Sequence, residues 1–277
     1  MLKSVNQWCF PEGTPLEQIF EISRDAGFDA VELNLNPPGG VGLTMETTAE
    51  EADAIAALAA KYSLKLRSVS TSLMGRTPLS SPDESVRAQG RAVVIKQMDL
   101  ALRLGADTVL VVPGFVNEAT SYDDCYERSL SELKKLAPEA EKRGIKIGVE
   151  NVWNKFLLSP LEFRNYVDEI GSPNVGVYFD VGNILAYGFP QQWIRILGKR
   201  IVKVHVKDFR PAVGNGQGFV PLLAGDVNWP EVMKALREIG YSDTLTAEIG
   251  RYSQSPLQQV YDTARHLDAI ISGKPGR

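Results

Sequence analysis

An eightfold alternation of short β-rich runs with longer helical patterns constrains this chain more than any other feature. The strand-like runs are VNQWCF (5–10), DAVELN (29–34), KLRSVS (65–70), TVLVVP (108–113), KIGVEN (146–151), VGVYFD (175–180), IVKVHVKD (201–208) and DTLTAEI (243–249). Helical apolar patterns follow them over 14–27, 47–62, 83–105, 121–144, 159–171, 190–198, 228–240 and 255–272. Glycines at 27, 105, 144 and 240 stand just before the next strand, where a helix C-cap is expected. Repeated βα units give a parallel sheet covered by helices. Eight of them in 277 residues predict a (β/α)8 TIM barrel, one domain spanning 1–277. A doubly wound sheet fits less well. It would use fewer strands and favour a glycine-rich loop after the first, where the sequence reads Pro11-Glu12-Gly13-Thr14-Pro15.

Along a barrel strand, side chains alternate between the interior and the helix layer, and functional groups gather at the C-terminal ends. In the fifth run Ile147 and Val149 suit the helix layer, which turns Glu150 inward at the top. The sixth run ends on an inward Asp180. In the seventh, Val202, Val204 and Val206 form one face and Lys203, His205 and Lys207 the other. In the eighth, Leu245, Ala247 and Ile249 point outward, Thr246 and Glu248 inward. Four consecutive strands therefore each deliver one metal-competent side chain to the same rim. Three carboxylates and an imidazole inside a barrel are costly unless paired, solvated or metal-bound. Lys203 or Lys207 offers a balance of charge without metal. Three oxygens and one nitrogen suit a single divalent cation, Mn2+, Mg2+, Co2+ or Zn2+, with room left for substrate.

Histidine is scarce. Only His205 and His266 occur, and His266 sits in the pattern DTARHLDAI of the last helix, where packing or exposure is expected. Cys9 and Cys125 have no neighbouring histidine, so they read as free thiols rather than nucleophiles. Thirty basic against 34 acidic residues, a net charge of -4, argues against a nucleic-acid partner. No run approaches the roughly 18 apolar residues of a membrane span. The opening MLKSVNQWCF lacks the apolar stretch of a secretory signal, so a cytoplasmic location is expected, and the closing SGKPGR reads as a frayed tail.

The segments VENVWNKF (149–156), YFDVGN (178–183), KVHVKDFR (203–210), LLAGDVNWPEVMKALREIGY (222–241) and TLTAEI (244–249) resemble the sugar phosphate isomerase/epimerase superfamily. That group has a xylose-isomerase-like barrel and includes ketose 3-epimerases and pentulose-5-phosphate 3-epimerases. The resemblance covers nearly the whole chain and is strongest from Lys146 onward. It implies metal ligation by Glu150, Asp180, His205 and Glu248, the residues that strand alternation selects, with Glu150 and Glu248 doubling as acid–base groups. Free-ketose 3-epimerases carry a substrate-binding histidine shortly after the aspartate, and here that place holds Asn183. The Asp180-Val181-Gly182-Asn183 form looks more like the pentulose-phosphate and inosose-processing branches. Relatives that repair abasic DNA use a histidine-rich multinuclear site, which two histidines cannot supply.

The expected function is thus a divalent-metal-dependent 3-epimerase of a ketose or ketose phosphate, with Mn2+ placed first. Two glutamates would exchange protons on opposite faces of the substrate through a cis-enediolate. An aldose–ketose isomerase or an inosose-type dehydratase would use the same site, and a non-catalytic sugar-binding protein ranks last. Substrate contacts are expected from Trp8, Glu32, Asn151, Trp153, Lys155, Asn183, Lys207, Arg210 and Arg251, with Glu32 also able to orient His205. The glycine-rich 210–228 segment and 72–84 are expected at the barrel mouth, the former as a lid or a plain connection. Relatives are often dimers or tetramers, so a homodimer or homotetramer is compatible.

Overall fold

In the computed structural model, which describes residues 1–274, every barrel strand buries one face under helices and turns the other into a polar interior. The strands are β1 (Leu2–Asn6), β2 (Ala30–Leu35), β3 (Lys65–Thr71), β4 (Thr108–Val111), β5 (Lys146–Glu150), β6 (Val175–Asp180), β7 (Ile201–Val206) and β10 (Thr244–Ala247). They close in the order β1-β10-β7-β6-β5-β4-β3-β2, parallel throughout. Two short strands, β8 (Asp208–Phe209) and β9 (Phe219–Val220), form a separate antiparallel pair above the barrel. The helices are α1 (Leu16–Asp25), α2 (Ala49–Lys61), α3 (Glu84–Leu104), α4 (Tyr122–Arg143), α5 (Pro160–Ile170), α6 (Val181–Ile184), α7 (Pro190–Leu197), α8 (Trp229–Glu238) and α9 (Gln258–Ser272). The last three residues of the expected frayed tail, 275–277, lie outside the described residues.

Local chemistry sets the helix ends. Thr48 and Glu51 form a reciprocal capping box at the start of α2. Asp83, Ser121 and Ser159 cap α3, α4 and α5 through their side chains. The four glycines expected near C-caps, 27, 105, 144 and 240, all take positive φ, from 66 to 86. The core lies between wall and helices: Val31, Leu33, Val109, Val111, Ile147, Val149, Val177, Phe179, Val204, Val206, Leu245 and Ala247 are all buried there. Each Val, Leu, Ile or Phe side chain among them contributes about 1.5–3 kcal/mol of burial.

Three of the boundary differences from the sequence reading bear on the site. The first strand runs over Leu2–Asn6 rather than 5–10, because Asn6 accepts a hydrogen bond from Trp8 N and caps a 3-10 turn, Gln7–Cys9. The seventh strand stops at Val206, and Asp208 belongs to the β8–β9 pair. The eighth ends at Ala247, so Glu248 stands one residue above it. The four-residue α6 follows β6 directly, with Asp180 as its cap.

Candidate active site

The four expected ligands meet where their strands end. β10, β7, β6 and β5 are consecutive in the wall, and Glu248, His205, Asp180 and Glu150 each offer one donor atom within 4.8 Å of the others. Register staggers them: Asp180 lies opposite His205, while Glu150 lies opposite Tyr178, two residues lower on β6. His205 Nδ1 faces Glu150 Oε1 at 3.1 Å and Glu248 Oε2 at 3.2 Å. Asp180 divides its carboxylate. Oδ1 accepts a hydrogen bond from Asn183 N at 2.8 Å, whereas Oδ2 receives no hydrogen bond and meets Lys207 Nζ, 3.1 Å away, only as a charge.

Burial pushes the Glu150 carboxyl up to about 7 and raises Asp180 as well. Burial also acts against charge on Glu248, but the Lys207 ammonium 2.6 Å away and His205 hold its carboxyl well below the usual range. The surrounding carboxylates raise His205 and Lys207 against their own desolvation. A wholly buried carboxylate oxygen without a hydrogen bond is costly, and an imidazole nitrogen aimed at two more carboxylates invites a shared cation. Three oxygen donors and one nitrogen donor fit a single divalent metal ion.

Behind this cluster, Glu32 grips the far side of the imidazole. Its Oε1 lies 2.6 Å from His205 Nε2, and it also accepts hydrogen bonds from Asn6 Nδ2 (2.6 Å), Ser68 Oγ (2.5 Å) and Tyr178 Oη. Burial opposes its charge, yet His205 and the two hydroxyls keep its carboxyl below the usual range. Glu32 is fully buried. Nε2–H pointing at Glu32 leaves Nδ1 as the nitrogen that faces the other three candidate ligands. Asn6, Ser68 and Tyr178 were missed in the sequence. Tyr178 shares the inward parity of Asp180, which was legible; its partnership with a residue on β2 was not.

Asn151 and Asn183 lie beside the cluster, but their amides serve the backbone. Asn151 Nδ2 donates to Asp180 O and its Oδ1 accepts from Asp180 N, while Asn183 Nδ2 donates to Asn151 O. Trp153, partly exposed, donates from Nε1 to Asn183 O and packs its ring against Phe209 and Phe219. A cavity of about 420 Å³ opens beside Glu248, lined by Trp8, Lys207, Phe219 and Arg251 among others. Lys155 lies instead on a separate apolar cleft with Trp153, Leu158 and Tyr187. Arg210 turns its Nε to Ala224 O at 2.8 Å, and is exposed. Cys9 Sγ donates to Ala247 O and accepts from Ile249 N, bracing the strand end that carries Glu248. Burial pushes its thiol up to about 12, and that of Cys125 to about 11. His266 lies on α9, outside the barrel wall.

Among the described residues, no helix is long and apolar enough to cross a membrane. A putative L-ribulose-5-phosphate 3-epimerase of Escherichia coli strain K12 is 24% identical over 253 residues, 90% of this chain and 88% of that protein. The structure of an L-ribulose 3-epimerase superposes with a TM-score of 0.82 at 20% identity, covering 98% of this chain and 95% of that one. IolI protein, solved with a bound zinc atom, gives 0.80 at 20% identity over 100% of both chains. At such identities the two solved structures speak for the barrel alone. The family model described as xylose isomerase-like TIM barrel matches residues 20–270, and the chain belongs to that family.

Proposed function

We propose that the protein is a divalent-metal-dependent 3-epimerase of a ketose or ketose phosphate. The order of ligands around the wall carries this reading. Glu248 and Glu150 are the outermost of the four, separated by β7 and β6, so a substrate carbon held in front of His205 and Asp180 has one glutamate to each side. Two carboxylates on opposite sides of one carbon are what inversion by proton removal and return requires. The E. coli relative, named for 3-epimerisation of a ketose phosphate, supports the same chemistry.

A divalent ion held there, Mn2+ in this reading, would supply Lewis acidity to polarise the substrate's carbonyl. Glu150, Asp180, His205 and Glu248 would hold it. The carboxylate of one glutamate takes the proton from C3, and the carboxyl of the other returns one to the opposite face. Lys207, 2.6 Å from Glu248, keeps that carboxylate charged and oriented. Glu32 fixes the imidazole, and Asn151 and Asn183 fix the turn that carries Asp180, so these three act on the ligands rather than on the sugar. Trp8 and Phe219 offer apolar surface to sugar C–H groups. Lys155 and Arg210 stand off this cavity and are given no substrate contact.

The test is incubation with a ketose panel, with and without a terminal phosphate, in D₂O after metal removal and re-addition of Mn2+, Mg2+, Co2+ or Zn2+. Deuterium at C3 with inversion, lost on chelation and restored best by Mn2+, is expected. Aldose product labelled at C1 or C2, or loss of water, would replace epimerisation by isomerisation or dehydration. Glu150→Gln and Glu248→Gln should each slow exchange by roughly 10²–10⁴-fold. Full exchange in both variants would end the two-glutamate reading.

A further inference from the structure

Four basic side chains stand near the barrel mouth, and the structure sorts them. The Lys207 ammonium is committed to Glu248 and Asp180. Arg210 bonds a loop carbonyl, and Lys155 lies on the separate apolar cleft. Arg251 is different. It lines the catalytic cavity together with Glu248 and Lys207, and also a second cavity of about 450 Å³ between the 11–14 and 37–41 turns. Its Nη1 donates to Phe10 O at 2.6 Å and approaches Trp8 O at 3.5 Å, so main-chain carbonyls of the turn after β1 hold the guanidinium in place. Among the described residues no carboxylate pairs with it, and Nε and Nη2 make no hydrogen bond to protein. Of the carboxylates that share its catalytic-cavity lining, Asp208 is saturated by four N–H donors, and Glu248 is taken by Lys207 and His205. Glu12, on the second cavity's lining, is exposed and forms no ion pair with it.

We propose that Arg251 forms a phosphate subsite at the edge of the catalytic cavity, making a ketose phosphate rather than a free ketose the preferred substrate. The sugar part of this rests on the epimerase reading above; the phosphate part rests on Arg251 alone. A guanidinium pinned by one edge keeps other N–H groups for a second anchor, and paired N–H donors match phosphate oxygens. A terminal carboxylate offers similar oxygens, but a phosphate ester carries nearly twice the charge, which matters at a partly solvated rim.

The experiment compares wild type with Arg251→Gln, both metal-loaded and both checked for unchanged melting temperature. One arm titrates inorganic phosphate calorimetrically. A second measures kcat and KM on a ketose 5-phosphate, the corresponding free ketose and a ketose bearing a terminal carboxylate. Expected are phosphate binding that weakens in the variant, and a KM for the phosphorylated ketose raised roughly 10- to 100-fold with kcat little changed. The free ketose should be a poor substrate for both proteins and indifferent to the substitution. Equal phosphate binding by both proteins, or equal turnover of phosphorylated and free ketose by wild type, overturns the subsite. Preference for the carboxylated ketose overturns phosphate as its ligand. Arg251-dependent phosphate binding with no ketose turned over would sustain the subsite and sink the epimerase reading instead.

Discussion

His205 shows how a single side chain is shared between two tasks. Nδ1 faces Glu150 and Glu248, while Nε2 is held by Glu32, whose remaining capacity is filled by Asn6, Ser68 and Tyr178. A carboxylate on the far nitrogen fixes the tautomer and strengthens the imidazole as a ligand, and losing such a partner typically costs 10–100-fold in metal affinity. Glu32→Gln should therefore weaken divalent-metal binding by about that factor, as read by competition with a chromogenic chelator. Affinity equal to wild type would mean that Glu32 does not orient the ligand. The inward placement of Glu150, Asp180, His205 and Glu248 was legible in the sequence because strand parity is a local property. The Glu32 grip joins residues 173 positions apart, and no periodicity reports such a pair.

The 210–228 segment, expected as a lid or a plain connection, is anchored by one buried side chain. Asp208 accepts hydrogen bonds from Phe209 N (3.0 Å), Leu223 N (2.9 Å), Val227 N (3.1 Å) and Trp229 Nε1 (3.0 Å). A Cβ on Gly225 would come within 2.2 Å of Asp208 Oδ1, so glycine lets the chain fold onto the carboxylate. This clamp sets the β8–β9 pair and thereby places Phe219 against the cavity beside Glu248 and the Trp153 ring. Asp208→Asn turns one acceptor into a donor that faces N–H groups. It should cost about 2–3 kcal/mol of stability, with amide exchange at Leu223 and Val227 rising before that of the barrel strands. Unchanged protection at those two amides would refute the clamp. The alternating Val-Lys-Val-His-Val-Lys run concealed this feature, since β periodicity continues through Lys207 although pairing with the wall has ended. The first strand was misplaced for a related reason: the apolar Trp8, Cys9 and Phe10 extend the β-like run past Asn6, whose side chain turns the chain out of the wall.

Across the whole molecule the barrel interior carries charge at both ends, and only the upper layer serves the candidate site. At the opposite end Lys203, fully buried, lies 2.7 Å from Asp107 and 2.6 Å from Asp243, and Arg67 pairs with the same two carboxylates. Two cations and two anions close the barrel floor, so Lys203 offers no counter-charge to the ligands above; that task falls to Lys207. Burial raises the Asp243 carboxyl, but Arg67 and Lys203 more than offset it and bring it from 3.8 to about 2. A carboxyl depressed in the folded state stabilises the fold above its unfolded value near 4, and that contribution fades as pH falls through about 2. Denaturant unfolding of wild type should thus lose stability between pH 4 and 2, with part of that slope absent in Asp243→Asn. At neutral pH the same substitution should cost about 2 kcal/mol, below the 3–5 kcal/mol of a fully enclosed pair because water reaches part of Asp243. If the two proteins kept identical acid slopes, Asp243 would not be the titrating member of the floor. The floor matters to the site above it because β7 and β10 carry both layers: Lys203 and Asp243 secure at the bottom the two strands that present His205 and Glu248 at the top.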